Sequence, residues 1–288
     1  MKPEKFYQER EMRDIAYINS DFIPMEQASI SINDRGYTFA DGIYEVICTR
    51  SGYPFLLAEH FQRMERSARG VNIPLPPSYS DWSTIINEGM KRAGFQETMI
   101  YIQLTRGIMP RHHSYPEPLE PYLVMTFRSR PQYDESFFTQ GQQTITVEEM
   151  RWNRCYLKTI ALLPNILMKQ QAHRQNCQEA FFISEKQEIH EACAANIFLV
   201  KDKTILTPEL NNYILPGISR QYIIDRARET GLTVNCRTCF LDELFAADEV
   251  FITSTTMDAM PIVKVDNRQI GDGIPGPITN KVRGLFPA

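Results

Sequence analysis

The sequence lacks most of what would mark a specialised chain. Cysteine is sparse: six in 288 residues, at Cys48, Cys155, Cys177, Cys193, Cys236 and Cys239. That is too scattered for a disulfide framework and points to a reducing cytoplasm. There is no apolar run near the roughly 18 residues that cross a bilayer, since the strongest, Ile197-Phe198-Leu199-Val200, has the length of a strand. Basic charge is not in excess either. Lys and Arg number 31 against 35 Asp and Glu, a net charge of −4, which weakens a nucleic-acid reading while leaving room for a local patch. Eight of the first fourteen residues are charged, so no signal-peptide core is expected there. No metal site is expected: Cys236-Arg237-Thr238-Cys239 is a formal C-x-x-C without a second pair at zinc spacing, and His190-Glu191 lacks the second histidine of a helical zinc motif.

What remains is an ordinary folded composition, 43% hydrophobic and 23% charged, which excludes a disordered chain. Its length suggests two domains of about 150 residues. Ala16 to Asn19 and Phe22-Ile23 flank a polar turn at Asn19-Ser20-Asp21, and Tyr44 to Thr49 with Tyr53 to Leu57 enclose Ser51-Gly52, so two hairpins are expected. Glu59 to Arg69 and the run from Ser80 to Gly94 have helical spacing. Met99 to Thr105 and Tyr122 to Phe127 read as strands around a loop at 109–116. The polar, proline-bearing stretch Arg128 to Glu135 is the candidate linker. Beyond it come strands at Thr144 to Glu148, Glu179 to Ser184, Asn196 to Val200, Val250 to Thr253 and Ile262 to Val265. Helices are expected from Pro164 to Asn176 and from Ser219 to Thr230. The mixture has no βαβ rhythm, which predicts mixed sheets rather than a doubly wound fold.

Three segments carry chemistry. Pro216-Gly217-Ile218-Ser219 opens a predicted helix, where unpaired N–H groups and the helix dipole favour an anion. Thr253-Ser254-Thr255-Thr256 ends a predicted strand with four hydroxyls. Together they could cradle a phosphate; singly, Ser219 could be no more than an N-cap and the hydroxyl run no more than a polar turn. Lys158 enters the apolar stretch to Leu163, where desolvation favours a neutral amine able to form a Schiff base. A lysine snorkelling at a strand end is the ordinary alternative, and Lys169 is the competing lysine. Gly271-Asp272-Gly273-Ile274-Pro275-Gly276 matches G-x-G-x-x-G but lies too near the end of the sequence for a nucleotide-binding βαβ unit. Gly217-Ile218-Ser219-Arg220-Gln221 lacks the second glycine of a nucleophile elbow.

The order of these pieces resembles the D-amino acid aminotransferases, in the fold type IV group of pyridoxal-phosphate enzymes. The likeness rests on Asp34 through Glu45, Pro110-Arg111-His112-His113, Arg151-Trp152 through Lys158, Glu191 with Asn196, Gly217-Ile218-Ser219-Arg220 and Thr253-Ser254-Thr255-Thr256. It spans about residues 17–273. It implies a two-domain, mixed α/β (α+β) architecture: a smaller N-terminal α/β domain at 1–128, a linker at 129–135, and a larger C-terminal, mixed, β-barrel-like domain with helices at 136–288. It implies pyridoxal 5'-phosphate as cofactor and a cytoplasmic homodimer with shared active sites.

Position by position, the resemblance makes Lys158 the Schiff-base lysine and the proton shuttle, and Glu191 the carboxylate facing the pyridine nitrogen. Arg63, Ile218, Ser219, Ser254 and Thr255 become phosphate contacts, Leu215 packs behind the ring, and Arg151 lies near the ring hydroxyl. Tyr44, Arg111 and His113 match the trap for the substrate α-carboxylate, the last two reaching across from a partner subunit. The implied reaction moves an amino group from a D-amino acid such as D-alanine to a 2-oxo acid such as 2-oxoglutarate. Alternatives within the fold are an aminodeoxychorismate lyase, against which Arg111 and His113 argue, and a branched-chain L-amino acid or (R)-amine transaminase. His112, Pro164, Met257 and the run Ala192 to Ala195 depart from the family pattern, in ways that bear on the side-chain pocket rather than on the chemistry.

Overall fold

The computed structural model describes residues 13–18, 20–75 and 79–287. Asn19 of the first expected turn and most of the charged N-terminal stretch lie outside the described residues. Two sheets divide the chain. The first is six-stranded and antiparallel, in the order β2-β1-β6-β5-β3-β4, from β1 (Ile15–Ile18), β2 (Asp21–Pro24), β3 (Gly42–Arg50), β4 (Tyr53–Pro54), β5 (Thr98–Thr105) and β6 (Tyr122–Ser129). With it go α1 (Arg35–Phe39), α2 (Leu57–Gly70) and α3 (Tyr79–Ala93). Alternation along β5 puts Ile100, Ile102 and Leu104 on one face, where they meet Met64 and Ala68 of α2 and Ile86 of α3 in one core. The expected strand at Tyr53 to Leu57 is shorter, because Leu56 turns left-handed at φ 55° and starts α2 at Leu57.

The second sheet has nine strands, β12-β11-β10-β13-β14-β7-β8-β9 with β15 against β14. They are β7 (Gln142–Glu148), β8 (Glu179–Ile183), β9 (Ile189–Ala192), β10 (Asn196–Lys201), β11 (Thr204–Thr207), β12 (Val234–Cys236), β13 (Glu249–Ser254), β14 (Asp258–Val265) and β15 (Arg268–Gln269). β7 lies parallel to both β8 and β14, and β11 lies parallel to β12; the other pairs are antiparallel, as expected of a mixed sheet. The helices are α4 (Ser136–Thr139), α5 (Leu163–Arg174), α6 (Ile218–Glu229), α7 (Leu241–Phe245) and α8 (Pro277–Arg283). This sheet is curled by its own connections. β9 ends the strand order while β10 stands near the other side, about 24 Å away if the sheet were flat. Four Cα steps from Ala192 to Asn196 span at most about 15 Å. The turn closes with Ala192 N donating to Ala195 O at 2.8 Å, so the sheet wraps and brings β9 beside β10.

Two features join the halves. The connection from β7 to α5 runs along the open edge of β3: Tyr44 N donates to Lys158 O at 3.0 Å and Ile160 N to Gly42 O at 3.1 Å. At the far end of β3, Arg50 pairs with Asp258 and donates to Pro287 O at 2.7 Å. Among the described residues no helix is long and apolar enough to cross a membrane, and the six cysteines are all free thiols.

Candidate active site

A cavity of about 660 Å³, the size of a cofactor pocket, is lined from both halves. Ten of the twelve residues singled out in the sequence stand on its wall: Tyr44, Arg63, Arg151, Lys158, Glu191, Leu215, Ile218, Ser219, Ser254 and Thr255. Lys158 is fixed by its backbone, since besides the β3 contact its N–H donates to Ser67 Oγ on α2 at 3.0 Å. Its Nζ then lies 4.2 Å from the centre of the Tyr44 ring, a cation–π contact. Lys169 stands apart, on α5, bonded to Glu179 and to the carbonyl of Gln178.

α2 turns a stripe of His60, Arg63, Met64, Ser67 and Ala68 inward, and three of these five are polar. Arg63 Nε and Nη2 donate to the two oxygens of Glu45 on β3, each at 2.7 Å, and His60 Nδ1 lies 2.8 Å from Glu45 Oε2. Burial would raise Glu45, yet the Arg63 charge and the hydrogen bonds from Arg63 and His60 hold its carboxyl far below the usual range. The remaining end, Arg63 Nη1, donates to Pro216 O at 3.2 Å, which places the guanidinium beside the start of α6.

That helix end is open. Gly217, not Ser219, is the N-cap, and no side chain caps it; the helix expected from Ser219 starts at Ile218, and the plain alternative for Ser219, a capping role, does not hold. Gly217 is required by space, as a Cβ there would lie 2.0 Å from Asn196 Oδ1. Next to it Thr253 is 2% exposed with its Oγ1 buried and without a hydrogen-bond partner. A helix N-terminus, an orphaned hydroxyl and an arginine make an anion seat. α8 offers no second seat: Glu249 already accepts from Ile278 N at 2.9 Å and Thr279 N at 2.7 Å, so the G-x-G-x-x-G run leads into a plugged helix.

Glu191, on β9, also lines the cavity. Its Oε1 accepts from Arg151 Nη1 at 2.6 Å, and its Oε2 accepts from Leu215 N at 2.9 Å and Asn196 Nδ2 at 3.3 Å. Burial pushes this carboxyl above the ordinary range, against the pull of Arg151. Arg111 and His113 do not join the cavity of their own chain; they are exposed on the loop after β5 and pack around Phe39, 5.0 Å and 5.4 Å from its ring centre. Among the described residues no cluster of His, Cys, Asp and Glu could hold a metal ion.

Sequence reasoning passed over the roles of Glu45, His60, Ser67 and Glu149, and took Thr253 only as one of a run of four hydroxyls. A signal existed for the first three: Glu45 lies on the buried face of β3 between Ile43 and Ile47, and His60 and Ser67 stand at helical spacing around Arg63.

Residues 42–265 match the family of class IV amino-transferases. The chain belongs to that family. This class IV aminotransferase is 38% identical over 274 residues to a D-alanine aminotransferase of Staphylococcus haemolyticus, covering 94% of this chain and 95% of that protein. Its fold is that of a branched-chain amino acid aminotransferase of Escherichia coli, with a TM-score of 0.88, 24% identity, and 96% and 95% of the two chains covered. A branched-chain aminotransferase of the thermophilic archaeon Thermoproteus uzoniensis, solved with norvaline, aligns at a TM-score of 0.84 and 22% identity over 94% and 92% of the two chains. The class IV aminotransferase therefore has the mixed α+β, two-sheet architecture expected of fold type IV.

Proposed function

We propose that the enzyme transfers the amino group of a D-amino acid, with D-alanine the first to test, to a 2-oxo acid such as 2-oxoglutarate, using pyridoxal 5'-phosphate. The carrying observation is that one cavity gathers a lysine amine, a buried carboxylate and an anion seat, in a chain 38% identical to a D-alanine aminotransferase. The branched-chain enzymes share the fold at 22–26% identity, which gives that reading less support than the D-amino acid one.

The residues fit the cofactor. The orphaned Thr253 hydroxyl and the uncapped α6 N-terminus are donors suited to a phosphate, and Lys158 is an amine suited to its carbonyl. Arg63, Ile218, Ser219, Ser254 and Thr255 would hold the phosphate, Glu191 the ring nitrogen, Leu215 the ring face, and Arg151 the polar edge. When bound, the cofactor supplies the carbonyl that takes the amino group and a ring that accepts electrons. Lys158 Nζ would accept the proton from the substrate α-carbon and hand it back, so that one amine serves as both base and acid. Glu191 keeps a proton on the ring nitrogen by offering it an anion. Glu45 and His60 fix Arg63, and Ser67 fixes the Lys158 backbone, so that both meet the ligand without rearranging.

Tyr44 from one subunit and Arg111 and His113 from its partner would take the substrate carboxylate, the arginine as a two-pronged donor. Exposure of Arg111 and His113 away from their own cavity supports a homodimer, as do the exposed apolar side chains of Trp152, Leu163 and Ile166 at the cavity wall. We place the junction of the two units at residues 129–135, from Ser129, the last residue of β6, to the residue before α4. Six free thiols support a cytoplasmic location. The test is spectroscopic. The protein purified with pyridoxal phosphate should be yellow and should bleach with D-alanine but not L-alanine, releasing pyruvate when 2-oxoglutarate is present; turnover of L-leucine with no turnover of any D-amino acid would overturn the reading.

A further inference from the structure

Arg151 stands between two carboxylates. Nη1 donates to Glu191 at 2.6 Å, while Nε and Nη2 donate to the two oxygens of Glu149 at 2.9 Å and 2.6 Å. The contact with Glu149 is the two-pronged one, in which a guanidinium and a carboxylate match best. Glu149 is held further by the Arg151 backbone N–H at 3.0 Å and by His190 Nδ1 at 2.8 Å, and His190 stacks on Tyr213 with ring centres 4.7 Å apart. The three side chains are between 3% and 9% exposed. Two carboxylates share one guanidinium, so the trio carries a net charge of −1 in a place where a lone charge is costly.

We propose that Glu149 is a positioning residue for the ring nitrogen. By engaging Arg151 through both oxygens it takes up the guanidinium charge and leaves Glu191 as the anion that a protonated ring nitrogen can meet. The inference rests on the cofactor reading above. Without Glu149, Arg151 would belong to Glu191 alone and would neutralise it. The other cations of the cavity do not substitute: Arg63 is committed to Glu45, and Lys158 gives up its charge when it serves as a proton acceptor. The remaining groups facing Glu191, the Asn196 amide and the Leu215 N–H, are neutral. The state of Glu149 agrees, for burial would raise its carboxyl but the hydrogen bonds from His190 and Arg151 bring it down to about 2.

The test compares the apoprotein's affinity for pyridoxal 5'-phosphate with that for its 1-deaza analogue, in which CH replaces the ring nitrogen. In the unaltered protein the ratio favours pyridoxal phosphate. Glu149→Gln should lower the ratio about tenfold, the equivalent of one pKa unit on the ring nitrogen, to the level of Glu191→Gln, and Glu149→Asp should retain it. Equal losses of affinity for both ligands, with the ratio unchanged, would show a packing role only and overturn the proposal. Should Glu149→Gln not fold, the double variant Glu149→Gln/Arg151→Met reads the same charge count. A ratio at or above that of the unaltered protein supports the inference, and a ratio at the Glu191→Gln level overturns it. Failure of the unaltered protein to bind pyridoxal phosphate at all would instead refute the cofactor reading.

Discussion

Glu45 grips Arg63 through both carboxylate oxygens at 2.7 Å, in a site where the two side chains are 1% and 3% exposed. The pair leaves one guanidinium nitrogen pointing to Pro216. Removing the carboxylate charge leaves a buried arginine uncompensated, which costs about 3–5 kcal/mol when one partner of a buried pair is lost. Glu45→Gln should therefore lower thermal stability and weaken pyridoxal phosphate binding by at least about tenfold. Titration of the apoprotein with the cofactor and a thermal melt measure the two effects. An unchanged dissociation constant would remove Glu45 from the phosphate site.

Two lysines competed in the sequence, and their surroundings separate them. Lys158 lies over Tyr44 on the cavity wall, whereas Lys169 is tied to Glu179 outside it. Lys158→Ala should abolish the visible absorption of the bound cofactor and all turnover, while Lys169→Ala should keep both. The reverse pattern would transfer the Schiff-base role to Lys169.

Arg111 should act across the subunit boundary. Arg111→Ala should raise the KM for D-alanine about 100-fold, the loss of a charge-assisted, two-pronged contact, and leave the cofactor spectrum intact. Mixing dissociated Arg111→Ala and Lys158→Ala chains should recover about a quarter of full activity, because half the random dimers carry one intact site in two. No recovery on mixing would place Arg111 in its own subunit's site.

Acid should weaken the fold through Glu149. Its carboxyl is held at about 2 in the folded protein against an ordinary value of 4.5. The folded state therefore binds fewer protons in that window, and the stabilisation, about 3 kcal/mol, is complete above pH 4.5 and is lost as pH falls toward 2. Glu191 acts in the opposite direction, since its carboxyl is raised. Denaturant unfolding from pH 6 to pH 3 should show a shallower decline for Glu149→Gln than for the unaltered protein, and equal slopes would contradict the assignment.

Legibility in the sequence followed the kind of interaction. Elements with a clear period were readable: the helix at Glu59 to Arg69 and the strand at Met99 to Thr105 appear where expected, because each buries one apolar face. The helix expected from Pro164 to Asn176 runs from Leu163 to Arg174 and stops as Asn176 turns left-handed at φ 57°. Short pieces were not readable. β9, β11 and β12 have three or four residues each, too few for a period to show, and β12 pairs with β11 across the whole of α6. Lys158 was singled out by its apolar stretch and chosen over Lys169 through resemblance, and the role of Glu191 was reached through resemblance alone. Glu45 and Glu149 were not, because their work is done on another side chain, and the meeting of β3 with α2, or of Glu149 with His190 on β9, is not written in local spacing. The expectation that Arg111 and His113 serve a site is compatible with their exposure, since one chain by itself does not bring them to a cavity.

The turn from Ala192 to Ala195 that curls the second sheet has Glu191 at one end and Asn196 at the other, and both also bind Leu215, one at its N–H and one at its carbonyl. The constraint on this turn is one of count rather than identity. Small residues can replace one another there with little effect on the path of the chain. A single inserted residue would change the register at which β9 and β10 meet Leu215, and would part the carboxylate from the amide that steadies it. The path of the chain in this stretch therefore tolerates exchange among small residues, which reshapes only the cavity wall, and does not tolerate a change in length.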